Sequence, residues 1–199
     1  MKKALLLLLV SFIAFTSTYA QNSEVETATQ ITKAEQFKKN NNFVKETIIY
    51  KANVEAIVMN ALLLTNLTSG EKLTALDFSH LEEDDEEHEF LGYLDMDEVD
   101  DMIVALETIY GEYYNATKKD RFFISYTTPS GIDVFYATIT PENDKHKVCL
   151  RKKWFKLDDY GVQTCVYSES SSIISASKIP QLVSSMKEAK VIANQFMDN

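Results

Sequence analysis

Four groups of residues in this chain have the types and spacing to do chemistry. The first is the basic run around Lys145 to Trp154. At strand spacing Lys145, Lys147, Arg151 and Lys153 share one face, while Val148, Leu150 and Trp154 share the other. The apolar face reads as core. The cationic face with Lys147, Arg151 and Lys153, together with Trp154 from the other face, supplies candidate contacts for an extracytoplasmic protein or an anionic glycan, because Arg and Trp are enriched in binding hot spots. The same cations would equally guard an edge strand or answer the acidic first half of the chain.

The second group is the acidic run Glu82-Glu83-Asp84-Asp85-Glu86-Glu87-His88-Glu89 with His80 just before it. Carboxylates and imidazoles at this density make His80, Glu86 and His88 candidate metal ligands. A calcium loop needs a Gly at its sharp turn, and none is present, so a solvated acidic loop is the competing reading. In the third group, Asp95, Asp97, Glu98, Asp100 and Asp101 imitate a D-x-D metal motif but sit where a helix begins. Anions are favoured there by the helix dipole, and Asp97 reads as the N-cap. Crowding among the carboxylates of 82–101 predicts raised pKa values and little loss of stability in mild acid.

The fourth group is Cys149 and Cys165, a candidate disulfide. They lie in two strand-like runs joined by Leu157-Asp-Asp-Tyr-Gly161. If Asp158 to Gly161 is a tight turn, Cys149 faces residue 170 and Cys165 faces Trp154, leaving the Cα atoms far beyond the ~4.4–6.8 Å of a bridge. A looser loop brings them together, so bridged and reduced forms both stay open. For catalysis the chain offers no H-E-x-x-H, G-x-S-x-G or C-x-x-C motif and no Gly-rich phosphate loop. No catalytic residue and no cofactor is assigned.

The elements that must position these groups repeat at an offset of 80. Val99, Met102, Ile103 and Leu106 correspond to Ile179, Leu182, Val183 and Met186 at helical spacing, each set preceded by a strand and a capping residue, Asp97 or Ser177. Tyr110 and Tyr113 extend the first stripe; Ala189, Ala193 and Phe196 extend the second. Pro180 fits the first turn of its helix. Hairpins are predicted around Thr68-Ser69-Gly70 and Pro129-Ser130-Gly131, with a further strand at 43–51. Aligning those two turns leaves 19 surplus residues in the second copy, within 145–168. The fold class is α+β: two tandem units of antiparallel strands, each closed by one helix packed on the sheet, forming a single domain 43–199 with copies at 43–117 and 118–199.

The first twenty residues carry Lys2, Lys3, an apolar run from Ala4 to Phe15 and small residues at Thr18 and Ala20, the pattern of a signal peptide cleaved after Ala20. A secreted or periplasmic address follows, with 21–42 a polar, flexible leader or a frayed short helix. No later apolar run reaches the ~20 residues of a membrane span. Residues 21–119 carry 21 acidic and 8 basic side chains, and 120–199 carry 9 and 10. Such an acidic chain disfavours nucleic acid. The oligomeric state is not legible.

The signal, the Tyr93-Leu-Asp-Met-Asp-Glu-Val-Asp-Asp-Met-Ile-Val-Ala-Leu106 turn into a helix and the C-terminal strand–helix together resemble a group of small, uncharacterised exported bacterial proteins with tandem strand–helix repeats. The resemblance spans roughly residues 54–196 and implies no activity. In outline the tandem units are also similar to exported inhibitors of the β-lactamase-inhibitor type and to Pur-type nucleic-acid modules, the latter opposed by the charge. The expected function is therefore a non-enzymatic, exported binding or interaction module. The alternatives are an acidic metal-binding protein and, after it, a hydrolase.

Overall fold

The computed structural model describes residues 31–81, 88–115, 122–137, 147–157 and 163–198. The α+β reading holds. Strands β1 (Val44–Val54), β2 (Ile57–Asn66), β3 (Lys72–Leu81) and β4 (His88–Asp95) form one antiparallel sheet in sequential order. A single 3-10 turn, Met96–Glu98, leads into helix α2 (Val99–Asn115), which follows a short first helix α1 (Lys33–Asn40) in the chain. The second unit repeats the plan with β5 (Phe123–Thr127), β6 (Ile132–Ala137), β7 (Lys147–Leu157), β8 (Gln163–Ser175), a 3-10 turn at Ala176–Lys178 and helix α3 (Ile179–Met197). Among the described residues no helix is long and apolar enough to cross a membrane.

The apolar stripes fall where their spacing puts them. Val99, Met102, Ile103 and Leu106 are buried, as are Ile179, Leu182, Val183 and Met186. The burial classes of 101–110 and 181–190 agree position by position. Phe196 departs from the expectation: it is 42% exposed, on the last turn of α3. Neither Asp97 nor Ser177 caps a helix. Both lie inside the 3-10 turns, and the residues that precede those turns, Asp95 and Ser175, make no side-chain cap bond.

Which sheet each helix covers is not what chain order suggests. Helix α3 lies across β1, β2 and β3 of the first sheet, and Tyr50 on β1 donates to Glu188 on α3 at 3.0 Å. Helix α2 packs on α3 and on β5, with the Tyr113 ring edge-on to Tyr136 of β6 at 6.4 Å. The helices are exchanged, and one continuous core takes residues from both sheets and both helices.

Two further expectations change. Strand β5 begins 79 residues after β1 and β8 ends 80 after β4, so β5–β6 corresponds to β1–β2 and not to β2–β3. The 19-residue surplus came from matching the wrong turns; both units have four strands and nearly equal length. Of the two readings of 21–42, a short helix is present at Lys33–Asn40, docked and not frayed. Thr32 and Glu35 form a reciprocal capping box at the start of α1. Ala34 and Phe37 then bury against Leu62, Leu64, Ala75 and Tyr93 on the first sheet's other face. Two apolar residues three apart suffice to dock a short helix whose average composition is polar.

The two units meet tightly at Gly92, beside the irregularity in the β3–β4 register. A Cβ there would stand 2.8 Å from Ile132 Cδ1 of β6, and Ile132 is itself buried. Gly92→Ala is expected to cost about 1–3 kcal/mol, from overpacking added to an unfavourable φ of +151°. Gly70, at φ +78° in the open β2–β3 turn with no atom within 4 Å of its Cβ direction, bears only the backbone part, so Gly70→Ala should cost ~1 kcal/mol. Urea midpoints of the two variants check this; equal losses would mean that the close approach carries no weight.

Candidate functional site

The outer face of the second sheet gathers most of the chain's unusual surface chemistry. Side chains alternate along β6 and β7, so Asp133 and Phe135 share a face with Lys147, Cys149, Arg151 and Lys153. Asp133 is 1% exposed. Its carboxylate accepts from Thr127 Oγ1 at 2.7 Å and Arg151 Nε at 3.1 Å, with Lys153 Nζ at 3.9 Å. Lys153 also donates to Thr127 Oγ1 at 3.1 Å. The Arg151 guanidinium lies over the Phe135 ring at 4.3 Å, and Phe135 packs on Phe123 at 5.6 Å. Lys147 is exposed at the end of this row. Phe123 and Ile173 present apolar surface, at 59% and 48% exposure. No described helix packs on this face.

Arg151 and Lys153, expected as partner contacts, are therefore also counter-ions of a buried carboxylate. Lys152 points the other way, past Gly92 toward α1 of the first unit, and pairs with Glu35 at 2.6 Å. Trp154 pairs with Val166 in the β7–β8 ladder, but its side chain lies outside the described residues, as does Lys145. Cys149 is a free, buried thiol opposite Ile173, while Cys165 stands opposite Phe155. Six residues of β7 separate those positions, about 20 Å of strand, so this register does not bring the two cysteines together. Burial pushes the Cys149 thiol up, which makes it a poor nucleophile.

The acidic residues lie at the junction of the units. Asp95 accepts from the Lys33 backbone N–H at 2.9 Å, and Asp97 pairs with Lys33 Nζ at 2.6 Å, so both anchor α1. Glu98, 8% exposed, accepts from the Ser130 N–H at 2.8 Å and so ties the first unit's 3-10 turn to the β5–β6 turn. Asp100 pairs with Lys190 of α3 at 2.6 Å. Among the described residues, one oxygen each of Asp95 and Glu98 has no partner. Burial first, then neighbouring carboxylates, pushes both groups up; the sequence had suggested crowding as the main cause. Asp97 falls below its usual range through its bond to Lys33. For Glu35 burial pulls upward, but Lys152 and Thr32 together outweigh it and hold the carboxyl low.

Of the candidate metal ligands, Glu86 lies outside the described residues and so does the side chain of His88. His80 Nδ1 is 3.2 Å from Ser172 Oγ, which in turn donates to the Ala56 carbonyl at 3.0 Å. Its neighbour in the fold is thus the second sheet. Among the described residues no three His, Cys, Asp or Glu side chains gather to hold a metal.

Asp133 and Phe123 escaped the sequence reading, and Glu98 was placed there at a helix start without its tie to the second unit. Asp133 had a signal: an acid alternating with Ile132 and Val134 in a strand otherwise apolar, next to a basic strand. The tie of Glu98 had none, because its partner is a backbone amide 32 residues away. The chain matches no known protein family, and no curated protein matches it.

Removing one member of a buried ion pair strands the other. Arg151→Ser should cost about 3–5 kcal/mol, and Asp133→Asn combined with Arg151→Met should recover most of that loss. A denaturant double-mutant cycle measures it; a loss below ~1 kcal/mol for Arg151→Ser would show that solvent already screens the pair.

The raised carboxyls set a pH signature. As pH falls from 7 to about 5, folded Asp95 and Glu98 take up protons before the unfolded chain does, which adds stability. The contributions of Glu35 and Asp97, whose pKa values are lowered, are lost only as pH drops through the ordinary carboxyl range near 4. Melting temperature should thus hold or rise between pH 7 and 5, and Glu98→Gln should flatten the profile. A steep fall over that interval would mean Asp95 and Glu98 are ion-paired.

Proposed function

We propose that the protein is an exported, non-enzymatic binding module that recognises an acidic extracytoplasmic protein through the outer face of its second sheet. The observation that carries this reading is the row Phe123–Phe135–Arg151 with Lys147 and Ile173 around it. Aromatic and Arg side chains already ordered by mutual stacking lose little further entropy on binding, and exposed apolar atoms among cations fit the centre of a protein interface. Ile173 and Phe123 favour a protein over a glycan, since an aliphatic side chain offers a sugar little. The exported address rests on the first twenty residues and their signal-like pattern.

Phe123 and Lys147 are the positions to test, because both are exposed and the described counter-ions of the buried Asp133 carboxylate are Arg151 and Lys153. The double variant Phe123→Ser/Lys147→Ser should stay folded, losing about 1–2 kcal/mol as the Phe123–Phe135 stack goes. It should lose a protein that the wild type captures from an extracytoplasmic extract and releases at high salt. Retention of that protein by the variant, or capture of a protease-resistant glycan instead, would overturn the reading.

A further inference from the structure

The apolar bed beneath α1 is larger, and asks for more, than α1 supplies. Ala34 and Phe37 are the buried residues of that helix, and they meet Leu62, Leu64, Ala75 and Tyr93 on the sheet. The same face continues to both edges of the sheet. Ile48 on β1 stands directly opposite Leu62 and is 58% exposed. Phe90 on β4 stacks on Tyr93 with centroids 4.8 Å apart and is 46% exposed. A polar group is also left unmet. Asp95 is 6% exposed, and one of its oxygens accepts from the Lys33 N–H of α1 at 2.9 Å. Among the described residues its other oxygen has no partner, an unfavourable state for a buried acceptor. Nor does the repeated frame call for a helix here. Only residues 116–122 separate α2 from β5, fewer than the eight of α1, so no counterpart of α1 fits before the second sheet.

We propose that this bed is the docking site of a basic amphipathic helix from a partner protein, and that α1 is its internal stand-in. The rim sets the sign of the ligand. Asp97 holds Lys33 Nζ at 2.6 Å, while Glu46 and the Tyr93 hydroxyl hold Lys38 Nζ at 2.7 and 2.8 Å. Against these acceptors Lys152 of β7 holds Glu35 at 2.6 Å. The fitting helix therefore carries a small and an aromatic residue three apart, cations on both flanks and one acid in its first turn. With a longer apolar stripe and one more donor it would cover Ile48 or Phe90 and satisfy Asp95, which α1 does not. Displacing α1 is feasible, because an eight-residue helix is marginal by itself and two apolar side chains dock it. This face and the cationic face of the second sheet select opposite charges, so each reading stands or falls separately.

The probe is a labelled peptide with the sequence of residues 31–42, titrated with the full chain and followed by fluorescence anisotropy. Ala34→Asp/Phe37→Ser releases α1 and opens the bed. That variant should bind the peptide at least about tenfold more tightly than the wild type, whose tethered helix competes at high effective concentration. The peptide carrying Lys33→Glu/Lys38→Glu should bind at least about tenfold more weakly, and Leu64→Asp added to the release variant should abolish binding. Phe37→Ala alone should give the same ranking to a smaller degree, should the double variant not fold. In the wild type, hydrogen exchange at the amides of 36–40 should be faster than in β2 and β3. Four results would each overturn the proposal: no saturable binding to the released chain, equal affinity for the two peptides, protection of α1 equal to that of β2, or a wild-type dimer that is lost on releasing α1, which would make a second copy the occupant.

Discussion

Each sheet buries its apolar face under a helix encoded largely in the other half of the chain, and this exchange governs the rest of the structure. An isolated first unit would expose Ile57, Met59, Leu76 and Phe78, which belong to the shared core beneath α3. A sheet with an uncovered apolar face is not independently stable. Neither repeat can therefore act as a domain by itself, whatever the symmetry of the sequence suggests. The contacts between α3 and β1 also span well over a hundred residues of chain. Loop-closure entropy must be met before they form, which favours slow folding and a single cooperative transition.

Once the helices are exchanged, the polar groups caught between the units need partners from across the junction. Glu98 finds the Ser130 amide, Glu55 accepts from the Ser175 amide at 2.6 Å, and Glu35 pairs with Lys152. Glu55 holds a φ of 49°, a left-handed conformation in which Gly or Asn would be less strained. The bond to Ser175 gives a reason for a glutamate there. The acidic first unit and the more basic second unit thus make sense as halves of one body: several of their charges answer one another internally, and fewer remain for an outside ligand than a linear reading implies.

The legible parts were those set by local periodicity. The helical stripes at 99–106 and 179–186 and the turns at 68–70 and 129–131 each follow from spacing or from Gly and Pro chemistry within a few residues. What failed needed information from far away in the chain. The strand at 44–54 was visible, but without it as an anchor the two turns were matched one hairpin out of step, and a surplus segment resulted. A short helix within 21–42 was one of two readings, but that the helix at 33–40 docks becomes recognisable only against Leu62, Leu64 and Tyr93. Asp97 looked like a cap because anions favour helix starts, yet Lys33, 64 positions earlier, holds it. In the basic strand the alternation was right and its consequence was incomplete, since Asp133 opposite Arg151 turns part of a cationic face into an internal ion pair.

A duplicated scaffold also separates structural demands from local ones. Where both copies must fill the same core, they keep the same physics: Val99 and Ile179, Met102 and Leu182, Leu106 and Met186 differ in shape and agree in burial. At the exposed and half-buried rim of the helix pair they diverge in kind. Asp100 stands against Pro180, Val104 against Ser184 and Tyr110 against Lys190. A substitution of charge by Pro, or of Lys by Tyr, does not compensate for volume in a shared core, because these positions lie on the outer rim of the helix pair. The same holds on the sheets, where α1 covers part of the first sheet's outer face and the second sheet's corresponding face carries the stacked phenylalanines and Arg151. Pseudo-symmetry fixes the frame, so the departures from it mark the surfaces on which the two halves were free to acquire different roles.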